Sequence, residues 1–279
     1  MKICERSFAC GVRLYQAVLT AILFAGLAVQ SQATVYTISS TANGITYSAS
    51  YDSSLNGLTD WSWNGANQLD LQSLFYSVNG GPVSQLVSPS VVLNGAASLS
   101  AVYSVSGVAS AVDTISLNGD TLVESMKVKN LSSTAATLSL FQYSDFVLGN
   151  ALGGQNLNMT VLSGSQASAS QSGGGVTLQW VGQLTGGAVE VQASNGGAPF
   201  GPFNGTATAL NNTPLSVFGS AVFGYEFDSI NLAAGNSFTA SETATLVVPE
   251  PSSGAMIALG MFAAATLFCR RRKPSVIAN

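Results

Sequence analysis

Glu226 and Asp228 stand two residues apart in an alternating run, which on a strand puts both carboxylates on one face, about 7 Å apart. Such a pair could supply the acid and base of glycoside hydrolysis, or part of a calcium site. Its plainer role is a solvated strand face. Trp61-Ser62-Trp63 repeats the spacing with two indoles, flanked by Asp60 and Asn64. Indoles that share a face can stack on sugar rings while the polar neighbours bond to hydroxyls; they can equally anchor a core. Trp61 and Trp63 are the candidate carbohydrate-binding residues, and no residue is assigned a catalytic role. Glu124 with Lys127 and Lys129 reads as a charged strand edge that deters edge pairing.

The residue types that are missing narrow the chemistry further. The chain has no His, and Cys4, Cys10 and Cys269 all lie outside the stretch from Thr34 to Val248. Thiol nucleophiles, imidazole bases and Cys/His zinc sites are thereby removed from that stretch. Asp113 and Asp120 lack the intervening ligands of a calcium loop, so neither metal nor cofactor is expected. Eleven carboxylates between Thr34 and Val248 stand against Lys127 and Lys129 alone, a formal charge of −9. Nucleic acid, which needs clustered cations, is an unfavourable partner.

These residues must be carried by strands. Residues 34–248 are rich in Ser, Thr, Gly, Asn and Val, and no window of helical length carries an apolar stripe. Val176, Leu178 and Trp180 alternate with Thr177 and Gln179. Val217 to Asp228 reads as another such run, with Ala221, Phe223, Tyr225 and Phe227 opposite Ser220, Glu226 and Asp228, and Phe238, Ala240, Ala244, Leu246 and Val248 alternate with Ser and Thr in the same way. Pairs such as Asn43-Gly44, Asn79-Gly80 and Asn118-Gly119 punctuate the runs as hairpin turns. An all-β body built as an antiparallel β-sandwich follows. Gly164 to Gly175, low in apolar residues, reads as a long flexible loop.

The two ends have a different character. Residues 1–33 combine a basic start, the apolar run Ala17 to Val29 and the small residues Ser31-Gln32-Ala33, which is the order of a secretory signal peptide cut after Ala33. At the other end Val248-Pro249-Glu250-Pro251 precedes an apolar run from Gly254 to Cys269, then Arg270, Arg271, Arg272 and Lys273. As a helix those 16 apolar residues rise about 24 Å against a hydrocarbon core of about 30 Å, a short transmembrane segment whose cations stay cytoplasmic.

This tripartite tail resembles the PEP-CTERM sorting signal of Gram-negative bacteria. The resemblance implies four segments: signal peptide 1–33, body 34–248, sorting signal 249–273 and tail 274–279. It implies that signal peptidase and an inner-membrane exosortase act on the chain, the latter at Pro249, Glu250 and Pro251. It further implies a destination at the cell surface or in the extracellular matrix, in association with exopolysaccharide and biofilm. The expected function is that of an exported surface protein without catalytic activity. A carbohydrate-binding module or a carbohydrate-active enzyme is the alternative.

Overall fold

Alternation with a period of two dominates the chain and dictates a sheet with one inner and one outer face. The computed structural model describes residues 33–248 except 88, 106, 152, 197 and 198, with no side-chain description at 229. The signal peptide, the Pro249-Glu250-Pro251 motif, the apolar tail and the Arg270–Lys273 cluster lie outside the described residues. Of the two compact units, Met1–Thr34 and Val35–Asn279, the second carries the structure reported below.

The strands in chain order are β1 (Val35–Ala42), β2 (Ile45–Asp52), β3 (Gly57–Trp63), β4 (Ala66–Asn67), β5 (Leu69–Val78), β6 (Ser84–Gln85), β7 (Ser90–Leu93), β8 (Ser98–Val105) and β9 (Ala109–Asn118). They continue with β10 (Thr121–Asn130), β11 (Ala136–Phe146), β12 (Gln155–Ser163), β13 (Gln166–Gly173), β14 (Val176–Leu184), β15 (Ala188–Asn195), β16 (Ser216–Gly219), β17 (Ala221–Leu232) and β18 (Ser237–Val247). Two nine-stranded sheets result, and every pairing is antiparallel among the described residues. The first sheet runs β1-β2-β3-β5-β11-β17-β15, with β4 on β3 and β6 on β5; the second runs β16-β12-β13-β14-β18-β10-β9-β8-β7. Among the described residues no helix is long and apolar enough to cross a membrane.

The inner faces meet in a core in which Phe146 is the hub. Its ring stacks on Phe223 at 5.8 Å and meets Trp180 at 5.5 Å and Trp61 at 6.3 Å, both edge-on. The expected inner residues of β14, β17 and β18 all point here. The turn residues behave as their chemistry requires: Asn43 and Gly44 take φ of 53° and 76°, the mirror-image turn that matches strand twist.

Two expectations are corrected. The stretch read as a flexible loop contains β13, whose Ala167, Ala169 and Gln171 are buried. Alanine is too small to register as an apolar stripe, yet it fits where two sheets approach closely. The run from Val217 to Asp228 is two strands, because the chain changes sheets at Ser220: β16 pairs with β12 and β17 with β11 and β15.

Candidate functional site

The outer face of the first sheet gathers most of the acidic groups. Pairing aligns Glu190 on β15 with Glu226 on β17, and Glu226 with Phe141 on β11. Asp228 lies one step further along that face of β17, and its carboxyl shares a hydrogen bond with Glu226. A strap between β15 and β16 covers this row. Its Phe203, in a single 3₁₀ turn (Gly201–Asn204), meets Phe75 at 5.1 Å and Tyr143 at 5.5 Å. Phe200, Phe203 and Leu210 bury with Phe141, Tyr143 and Val222 as a second, smaller core. The strap can approach because Gly224 has no side chain. A Cβ there would come within 2.5 Å of the Phe203 ring.

The backbone N–H of Leu210 donates to Glu226 Oε2 at 2.6 Å. Glu226 is 1% exposed. Burial is the main reason its acid is pushed up to about 8; Asp228 and Glu190 add to the shift, and the Leu210 N–H opposes it. The Glu226 carboxyl can therefore hold a proton near neutral pH. The open polar face expected for Glu226 and Asp228 is therefore corrected to a capped, half-enclosed acid pair.

A second acidic group is sealed between the sheets. Asp113 on β9, Glu124 on β10 and Glu242 on β18 all point inward and are at most 2% exposed. Glu124 pairs directly with Glu242 across the strands, shares a hydrogen bond with Asp113 and accepts one from Gln72 Nε2. Burial raises all three acids, Glu124 to about 7. Glu242 faces Gln142 and Trp180, yet neither of its oxygens closes a hydrogen bond of normal geometry. The charged edge expected at Glu124, Lys127 and Lys129 is corrected accordingly. β10 is interior to its sheet, and alternation sends Glu124 inward and both lysines out.

Trp61 is fully buried against Phe146, and Trp63 is partly buried and packs on the same core. The indole pair expected to stack on sugar rings is instead core, because the apolar face of β3 is the one that meets the opposite sheet. Among the described residues no group of three or more His, Cys, Asp or Glu is disposed to hold a metal ion.

Strand β18 ends at Val247, and residues 247–273 match the PEP-CTERM protein-sorting motif. The chain carries a PEP-CTERM sorting motif. It is thus an exported protein addressed to an exosortase, and the sorting motif begins on the last residue of a central strand. No curated protein matches the sequence. Among solved structures, the chain resembles a GalM/aldose epimerase homologue from C. elegans at 10% identity and a TM-score of 0.51, covering 78% of this chain and 100% of that one. A galactose mutarotase-like protein from Lactobacillus casei gives 8% identity and a TM-score of 0.49, with coverage of 77% and 100%. A heparan sulfate lyase from Pedobacter heparinus gives 8% and 0.47, with coverage of 80% and 36%. At these identities the likeness is one of fold.

Proposed function

We propose that this protein is a cell-surface or extracellular-matrix component, released by an exosortase at Pro249-Glu250-Pro251 from an inner-membrane intermediate and associated with extracellular polysaccharide in biofilm, with no catalysis of its own. The sorting motif over residues 247–273 carries the reading. Capping of Glu226 by Leu210 supports the absence of catalysis, since that oxygen is already occupied beneath the strap. Pro249 and Pro251 disfavour pairing into regular strand or helix, a composition that suits recognition by a processing enzyme.

Replacing Pro249, Glu250 and Pro251 with alanines is expected to leave export intact and to strand the protein in the inner membrane with its tail attached. Mass spectrometry of the wild-type surface protein is the check. An intact C-terminus at Asn279 would overturn the reading.

A carbohydrate-active enzyme is the second reading, favoured by the raised acid of Glu226 beside Asp228 and by a sandwich fold like that of the aldose epimerase homologue. Anomer interconversion or glycan cleavage that disappears in Glu226→Gln would establish it in place of the first.

A further inference from the structure

The carboxylates are distributed unevenly over the second sheet. Asp113, Glu124 and Glu242 are the carboxylates on its strands, and all three point inward. Its outer face, among the described residues, carries Lys127 and Lys129 as its charged side chains, both exposed and neighbours on one side of β10. Asp120 sits in the turn at the opposite end of that strand. On a body of formal charge −9, this is the face that an anion can approach.

Hydroxyl and amide side chains form aligned rows across the face. Pairing aligns Ser100, Thr114, Ser125, Ser241, Gln183 and Gln166 across six consecutive strands. At the spacing between strands this row is roughly 24 Å long. A parallel row aligns Asn118, Thr121, Thr245, Gln179, Ser170 and Asn158. Neighbouring hydroxyls are already bonded to each other, as in Ser100 with Thr114 at 3.1 Å and Thr121 with Thr245 at 3.3 Å. Such bonds hold the side chains in fixed orientations, which lowers the entropy lost when a ligand binds. Val102 and Val123, with the half-buried Val112 and Val181, lie between the rows, and Val92, Phe218 and Val247 are exposed nearer the margins of the face.

We infer that the outer face of the second sheet is a docking surface for an acidic polysaccharide, whose hydroxyls lie along the side-chain rows and whose acid groups reach Lys127 and Lys129. Two cations are too few for nucleic acid, which needs several phosphate contacts. A polymer rich in alcohols, with sparse acid groups, matches both the rows and the corner charge. This inference rests on the surface location proposed above and adds to it the face and the charge class of the polymer.

The test uses the full chain with gellan, a polysaccharide with a single uronate in each repeat of several sugars, and compares neutral dextran and phosphatidylglycerol vesicles. Gellan is expected to bind, more weakly as salt rises. Lys127→Glu with Lys129→Glu should weaken binding by about tenfold or more, the scale of two exposed charge contacts. Ser125→Asp with Ser241→Asp should weaken it comparably, whereas Thr46→Asp, an exposed position on the first sheet, should leave it unchanged. Melting curves of each variant exclude loss of fold as the cause. Absence of gellan binding, equal binding of dextran, binding to vesicles alone, or binding indifferent to both double variants would each overturn the inference. Cell fractionation separates it from the sorting reading: a chain that is normally sorted but does not bind refutes the docking surface alone.

Discussion

The N–H of Leu210 and the carboxylate of Glu226 meet at 2.6 Å across sixteen residues of chain, pinning the strap to the outer face of the first sheet through one buried acid. Replacing Glu226 with alanine removes this acceptor and leaves the Leu210 N–H buried without a partner. A loss of about 1–3 kcal/mol is expected. Glu226→Gln keeps an acceptor and removes the ionisable group, so it should be close to wild type at pH 4, below the unfolded value, and more stable than wild type at pH 8, the wild type losing stability in between. Urea unfolding at the two pH values is the measurement.

The interior acids predict an inverted pH dependence. Glu124 titrates near 4.5 when unfolded and at about 7 when folded, so the folded state binds its proton more tightly. Its contribution is fully present below pH 4.5 and is lost as pH rises through 7; Asp113 and Glu242, raised in the same sense, extend the loss upward. Each fully linked proton contributes about 1.4 kcal/mol per pH unit. Unfolding free energy should fall between pH 5 and pH 9, with a shallower slope in Glu124→Gln. A flat or rising profile would contradict the buried arrangement.

Gly224→Ala should unseat Phe203, because the new methyl group occupies the position of the ring. A cost of about 1–3 kcal/mol is expected, together with faster proteolytic cleavage between Phe200 and Leu210. Unchanged cleavage would mean that the strap does not depend on that contact.

Trp61→Ala should cost about 3–5 kcal/mol by opening a cavity beside Phe146. Because the ring is buried, Trp61→Phe should recover much of that stability. A loss of glycan binding at unchanged stability would instead return the indole to the surface.

How far the sequence could be read follows from how local each signal is. Alternation is a property of neighbouring residues, so the inner faces of β14, β17 and β18 were legible from Trp180, Tyr225 and Phe238 and their surroundings. The side on which a polar residue falls depends on partners far along the chain. Glu124 belongs to a run whose other inner members, Leu122, Met126 and Val128, are apolar. That pattern gave the signal for its burial, against the pull of its charge and of the two nearby lysines. The strap left less to read. Phe200, Phe203 and Leu210 are scattered among Gly, Pro and Asn with no period, and only the placement of Gly224 opposite Phe203 makes them a core. β13 went unread because Ala and Ser differ too little in hydrophobicity to mark a face.

Strand β18 joins β14 on one side to β10 on the other, and its last residue opens the sorting motif. A chain that crosses the membrane from its N-terminus delivers β7 to β10 and β12 to β14 before the strand that unites them. Without β18 the pairings of the second sheet fall into two groups, β16-β12-β13-β14 and β10-β9-β8-β7. The emergence of the cleavage segment and the closure of the sandwich therefore coincide in time. Position in the sheet acts as a clock: under the processing proposed above, a cut at Pro249-Glu250-Pro251 would fall on a body whose last strand is already across, so that a finished particle would leave the membrane.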